Sequence, residues 1–154
     1  MRWVMLLTVV CLAAPERPGP PPRQKPMTFQ EQLLGRWQLV SAQIDGRPDE
    51  QKKPSTVLHF KPDVIEVHEE GRRRDEDDAR YTVDASKSPI AIDLTLKSGK
   101  EKRILGIIRV EGDRLTLCFK FSGEGRPTEF VSIQGTDQIV MTLSRVAEKK
   151  AESK

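Results

Sequence analysis

Side chains able to ligate a metal or act as a nucleophile are scarce in this chain. Its 154 residues hold two histidines, His59 and His68, and two cysteines, Cys11 and Cys118. The histidines lie in Val57-Leu-His-Phe60 and Val64-Ile-Glu-Val-His68. If these are successive strands, the imidazoles can meet across a hairpin, with Glu66 or Glu69 as a further metal ligand. No spacing specifies that third ligand, so the expectation is two solvated strand histidines and no metal. Arg72-Arg-Arg-Asp-Glu-Asp-Asp78 lacks the alternating oxygen ligands and central glycine of a calcium loop. It reads as a solvated hairpin loop whose charges cancel locally, with a phosphate or protein contact through the arginines as the alternative. The chain has no Gly-x-Ser-x-Gly elbow and no His-Glu-x-x-His helix. Gly123-Glu-Gly125 lacks the third glycine and the following helix of a dinucleotide site, so it reads as a turn. Carboxylates are plentiful, but a chain with 32% charged residues brings some together by chance. Catalysis needs a base placed in a pocket, and nothing here places one. The sequence therefore predicts no catalytic residue, no cofactor and no enzyme.

The elements that would position these residues are mostly strands. Thr28-Phe-Gln-Glu31 fits a capping box, followed by Leu33, Leu34 and a stop at Gly35, which predicts one or two helical turns. Beyond Gly35 the hydrophobic period changes to two. Strands are expected over Arg36–Gln43, Thr56–Lys61, Val64–Glu69, Arg80–Asp84, Ile90–Leu96, Arg103–Val110, Arg114–Phe121, Thr128–Ile133 and Gln138–Ser144. Turn residues separate them, among them Asp45-Gly46, Lys61-Pro62-Asp63, Ser98-Gly99 and Glu111-Gly112-Asp113. Ile90, Ile92, Leu94 and Leu96 share one parity. So do Leu115, Leu117, Phe119 and Phe121, and so do Ile139, Met141 and Leu143. One dry and one wet face per strand is what a small antiparallel barrel requires. Ile104–Val110 is apolar on both parities and should be covered on both faces, by the N-terminal helix or the chain ends.

The two ends of the chain differ from its middle. Arg2 followed by the apolar run Trp3–Leu12 and Ala13-Ala14 reads as a signal peptide over residues 1–13. The run is too short to span a bilayer, which takes about 20 apolar residues. A lipoprotein anchor on Cys11 is the less favoured alternative, because Val10 is bulky where a small residue is expected. Residues 14–27 hold six of the eleven prolines and form an extended linker. Residues 28–146 form the one domain, and 147–154 a charged tail. Arg2 contributes +1, the linker +2 and the tail +1 to a formal net charge of +3, which leaves the domain at −1. A near-neutral domain projects no broad positive field, which argues against nucleic acid as partner. Once Cys11 leaves with the signal peptide, Cys118 has no disulfide partner.

Gly35-Arg36-Trp37, after a short helix and opening the first strand, resembles the Gly-x-Trp start of the lipocalin superfamily. Three further segments narrow the resemblance: Trp37–Ala42 with Asp45-Gly46, Pro89–Thr95, and Gly106–Cys118 followed by Arg126-Pro-Thr-Glu-Phe130. Together they are similar to an uncharacterised lipocalin-like domain family abundant in planctomycete bacteria, over about residues 33–145. The resemblance implies an all-β, antiparallel up-and-down barrel of about 8–9 strands with a short N-terminal helix, and frequent export. It carries no catalytic residues. It also implies that Arg145 lies over Trp37, making Gly35, Trp37 and Arg145 the structural residues. The candidate barrel lining is Trp37, Leu39, Ile92, Leu94, Leu117, Phe119 and Met141. Gly106 and Ala91 are almost the only small residues in the strands, so the expected barrel is largely filled by side chains. The function expected is that of an exported, non-catalytic cell-envelope interaction module, with an envelope protein as partner. The alternative is a binder of a small apolar ligand in the barrel cavity.

Overall fold

The computed structural model describes residues 26–50, 54–97, 102–121 and 125–147. The signal peptide, nearly all of the linker and nearly all of the tail lie outside the described residues. A five-residue helix α1 (Phe29–Leu33) leads into β1 (Gly35–Ile44) and a two-residue outer strand β2 (Arg47–Pro48). Next come β3 (Val57–Phe60), β4 (Val64–Glu69), a second outer strand β5 (Arg72–Arg73), a 3-10 turn at Asp75–Asp77 and β6 (Ala79–Asp84). β7 (Ile90–Leu96), β8 (Arg103–Glu111), β9 (Arg114–Lys120) and β10 (Gln138–Arg145) complete the order. β1, β3, β4, β6, β7, β8, β9 and β10 pair with their neighbours along the chain, and β10 pairs back onto β1. Every pairing is antiparallel, so the eight form a closed up-and-down barrel with β2 and β5 outside it.

The inward parities form one core, which includes Leu39, Phe60, Ile92, Ile104, Leu117 and Leu143. Gly106 faces inward opposite Phe119. A Cβ there would sit 2.3 Å from Phe119 Cδ1, so the Phe119 ring takes the volume that a side chain at 106 would use. β1 changes parity partway. Its register against β10 slips between Leu39 and Ser41, a bulge that leaves Val40 exposed and turns Ala42 inward after Trp37 and Leu39.

One expected strand is absent. Residues 128–133 have no ladder partner, because β9 is already taken by β10. The segment instead runs as a strap over the outer face of β7, β8 and β9. Arg126 anchors it, donating to Ile92 O (3.0 Å) and Gly106 O (2.5 Å) and pairing with Asp93 (2.6 Å). Cys118 Sγ donates to Val131 O (3.9 Å), and the Arg109 guanidinium lies 4.8 Å from the centre of the Phe130 ring. This strap explains why β8 is apolar on both parities. Outward-facing Ala91, Ile107 and Cys118 are buried outside the barrel core. Among the described residues, the cover comes from the strap around residues 126–131 between β9 and β10, not from α1. Cys118 is a free thiol in that outer layer, and burial pushes its pKa up to about 11.

Candidate functional site

One end of the barrel is sealed. The Thr28–Glu31 capping box starts α1: Thr28 N donates to Glu31 Oε2 (2.7 Å) and Glu31 N to Thr28 Oγ1 (3.3 Å). Gln30 Nε2 ties the helix to Pro62 O in the β3–β4 turn (3.0 Å). Leu33, the last residue of the helix, and Trp37 are fully buried, and Trp37 Nε1 donates to Leu33 O (2.8 Å). The structure places the Arg145 guanidinium 4.1 Å from the Trp37 ring centre. Its Nη1 donates to Leu34 O (3.0 Å) and its Nη2 to Gln32 O, capping the last helical carbonyls. Gly35 supplies the backbone conformation this arrangement needs, more than the space. Its φ is +114°, and a Cβ there would meet Arg145 Nη1 at 3.4 Å. Tyr81 completes the seal, donating its hydroxyl to Lys61 O (2.6 Å) and meeting Phe60 edge-on at 5.5 Å.

Among the described residues, the opposite end is open. A cavity of about 240 Å³ lies there, walled by Leu58, Ile65, Leu94, Leu117 and Phe119 and rimmed by half-buried Val67, Leu96, Phe121 and Met141. Ala79 keeps one wall low, and Glu69 and Asp77 stand at the rim. Of the seven residues expected to line the barrel, Leu39, Leu94, Leu117, Phe119 and Met141 do line this cavity. Trp37 and Ile92 are packed solid below it and are fully buried. Thr56, just before β3, also lines the cavity. It is 4% exposed, and its Oγ1 has no hydrogen-bond partner. An unpaired buried hydroxyl costs about 1–3 kcal/mol, so a group that reached it would recover a real stabilisation. Thr56 was legible only as a strand residue, because its isolation follows from its place in the closed barrel.

A larger hollow of about 660 Å³ lies outside the barrel, between the β6–β7 turn and the strap. The charged groups at its strand wall are paired with one another, Asp93 with both Arg103 (2.5 Å) and Arg126 (2.6 Å). Burial pushes the Asp93 carboxyl up, and the two guanidinium hydrogen bonds outweigh this and hold it below its ordinary value.

On the outer face of β3 and β4 a second polar group forms around Glu66. The hairpin register sets His59 directly opposite Glu66, with His68 two residues further along β4. Glu66 Oε1 accepts from Lys61 Nζ (2.6 Å) and lies 3.2 Å from Arg73 Nη1. Its Oε2 lies 3.6 Å from both His59 Nδ1 and His68 Nε2. The Lys61 hydrogen bond holds the Glu66 carboxyl below the usual carboxylate range, and desolvation lowers the His59 pKa. Arg73 also bonds the buried Asp78, joined there by Lys97 (3.5 Å) and the Val67 amide (3.3 Å). Arg74 pairs with Glu69 (2.9 Å) and Glu76 (2.7 Å). Two of the three arginines in the charge block are thus engaged within the fold.

Among the described residues, no helix is long and apolar enough to cross a membrane. No family model matches the chain, and searches of curated proteins and of solved structures give no significant match.

Proposed function

We propose that this domain is a non-catalytic binder of a small, mostly apolar molecule carrying one hydrogen-bonding group, held at the open end of the barrel. The observation that carries the reading is the cavity itself, walled mostly by apolar side chains, with the unpartnered Thr56 hydroxyl buried in its wall. The cavity of about 240 Å³ lies below the roughly 300–1,000 Å³ of drug-sized sites, which favours a short chain or single ring over a long lipid. The closed up-and-down barrel with unfilled space at one end supports the same reading. The export signal read at Arg2 and Trp3–Leu12 would release the domain into the cell envelope or beyond it. The tightly filled closed half favours the rival reading, an envelope interaction module that uses its outer surface.

A titration separates the two. The domain is mixed with an environment-sensitive naphthylamine dye, and the dye is then displaced with medium-chain alcohols and acids. The binder reading expects saturable binding at one site per chain, weakened when Ala79→Leu fills the cavity. Dye emission that stays at its free value, or that rises equally in the Ala79→Leu domain, would discard it in favour of the interaction module.

A further inference from the structure

We propose that His59, Glu66 and His68 form a divalent transition-metal site, of the type that takes Zn²⁺, on the outer face of the β3–β4 hairpin. It is separate from the barrel cavity and independent of the ligand reading. One ligand atom from each residue lies within 4.8 Å of the other two. Tetrahedral zinc with bonds of roughly 2.0–2.1 Å needs its donors roughly 3.3 Å apart. Glu66 Oε2, at 3.6 Å from each imidazole nitrogen, is already close to that spacing. The rings need only small side-chain rotations, with centroids 6.4 Å apart and planes inclined at 50°.

A second observation points to the same place. The His68 Nε2 atom is buried and 3.6 Å from Glu66 Oε2, too far for a hydrogen bond of ordinary length, although it faces the carboxylate. A metal ion between them would give that nitrogen a partner. The two oxygens of Glu66 are also unequally used. Oε1 is held by Lys61 and Arg73, and Oε2 is left toward the imidazoles. Such outer hydrogen bonds fix the direction of a ligating carboxylate. Lys61, Arg73 and the nearby Arg36 oppose a divalent ion by charge, so the site is expected to be moderate in affinity and open in its fourth position. Two imidazoles and one carboxylate are a donor set suited to Zn²⁺, Co²⁺ or Ni²⁺ rather than Ca²⁺ or Mg²⁺.

The test uses the full chain with Co²⁺ as the spectroscopic probe and Zn²⁺ as the competitor. The wild-type chain should develop visible Co²⁺ absorption that saturates at one equivalent and is displaced by Zn²⁺. His59→Ala, His68→Ala and Glu66→Gln should each weaken binding about tenfold or more, with folding checked by thermal unfolding. The chain has only two histidines, so the wild type offers a readout that needs no variant. Saturating Zn²⁺ should protect both imidazoles from acylation by diethyl pyrocarbonate. A wild-type chain with no saturable Co²⁺ band, both histidines still acylated in Zn²⁺, or binding unchanged in His68→Ala would each overturn the site.

Discussion

The two ends of the barrel solve opposite problems. At the closed end, among the described residues, the polar side-chain groups that are brought inside have partners. Trp37 Nε1 bonds Leu33, the Tyr81 hydroxyl bonds Lys61, and Arg145 covers the indole while capping two helical carbonyls. At the open end the Thr56 hydroxyl is left unpaired, and Leu96, Phe121 and Met141 stay half-buried around unfilled space. Packing at one end can supply the stability that the other leaves unused, and binding regions are commonly drawn from the less stable parts of a fold.

Truncations would break this contrast most severely. Trp37→Ala should cost about 3–5 kcal/mol, because a fully buried ring leaves a cavity under a fixed helix. Met141→Ala at the open end should cost about 1 kcal/mol, since the lost volume merges with existing space. Chemical denaturation of both variants measures the difference, and equal losses would erase the distinction. Arg145→Ala should cost about 2 kcal/mol through the lost stack and the uncapped carbonyls. Arg114→Ala, an exposed residue at the start of β9, should stay within about 0.5 kcal/mol.

Acid should separate the ends by a different route. Asp78 ties β4, β5 and the Lys97 segment together near the open rim. Burial pushes its carboxyl up, but the Arg73 and Val67 hydrogen bonds prevail and its pKa is lowered on folding. A carboxylate with a depressed folded pKa stabilises the fold above its unfolded pKa of about 3.9 and stops doing so as pH falls through the folded value. Stability should therefore hold from neutrality to about pH 5 and fall below about pH 4. The fastenings of Trp37 involve no buried carboxylate, because Asp113, beside Arg145, is exposed. Amide exchange at low pH should rise first in β4 and β6 near the open rim, while Trp37 emission stays native. Thr56→Val sharpens the comparison in the opposite sense. Deleting the unpaired hydroxyl should stabilise the domain by about 0.5–1 kcal/mol in a thermal melt while weakening binding of ligands that carry a polar group.

What could be read in advance divides along physical lines. Inward alternation in β7, β9 and β10 depends on local period alone, and the barrel follows from it. The Val40 bulge breaks that period without any glycine or proline to announce it. Residues 128–133 look like a strand because Phe130, Val131 and Ile133 satisfy the composition of one, yet a barrel already closed by β10 has no edge to offer them. The scarcity of small strand residues pointed to a largely filled barrel, and even the gap at Gly106 is taken by the Phe119 ring. The space that exists lies instead beside Thr56 and Ala79. The Glu66 cluster was half legible. His59 and His68 were visible as strand neighbours, but the choice of Glu66 over Glu69 depended on the register set by the Lys61-Pro62-Asp63 turn.

The central claim is that the open end, and only that end, receives a ligand. Side-chain methyl resonances report it directly. A medium-chain alcohol is titrated into the isotope-labelled domain while Leu96 and Met141 at the rim are followed beside Leu115 and Leu143 in the core. The account predicts saturable shifts at Leu96 and Met141 at one ligand per chain, with Leu115 and Leu143 unmoved. Unperturbed rim methyls at saturating alcohol, or shifts confined to Leu115 and Leu143, would contradict it.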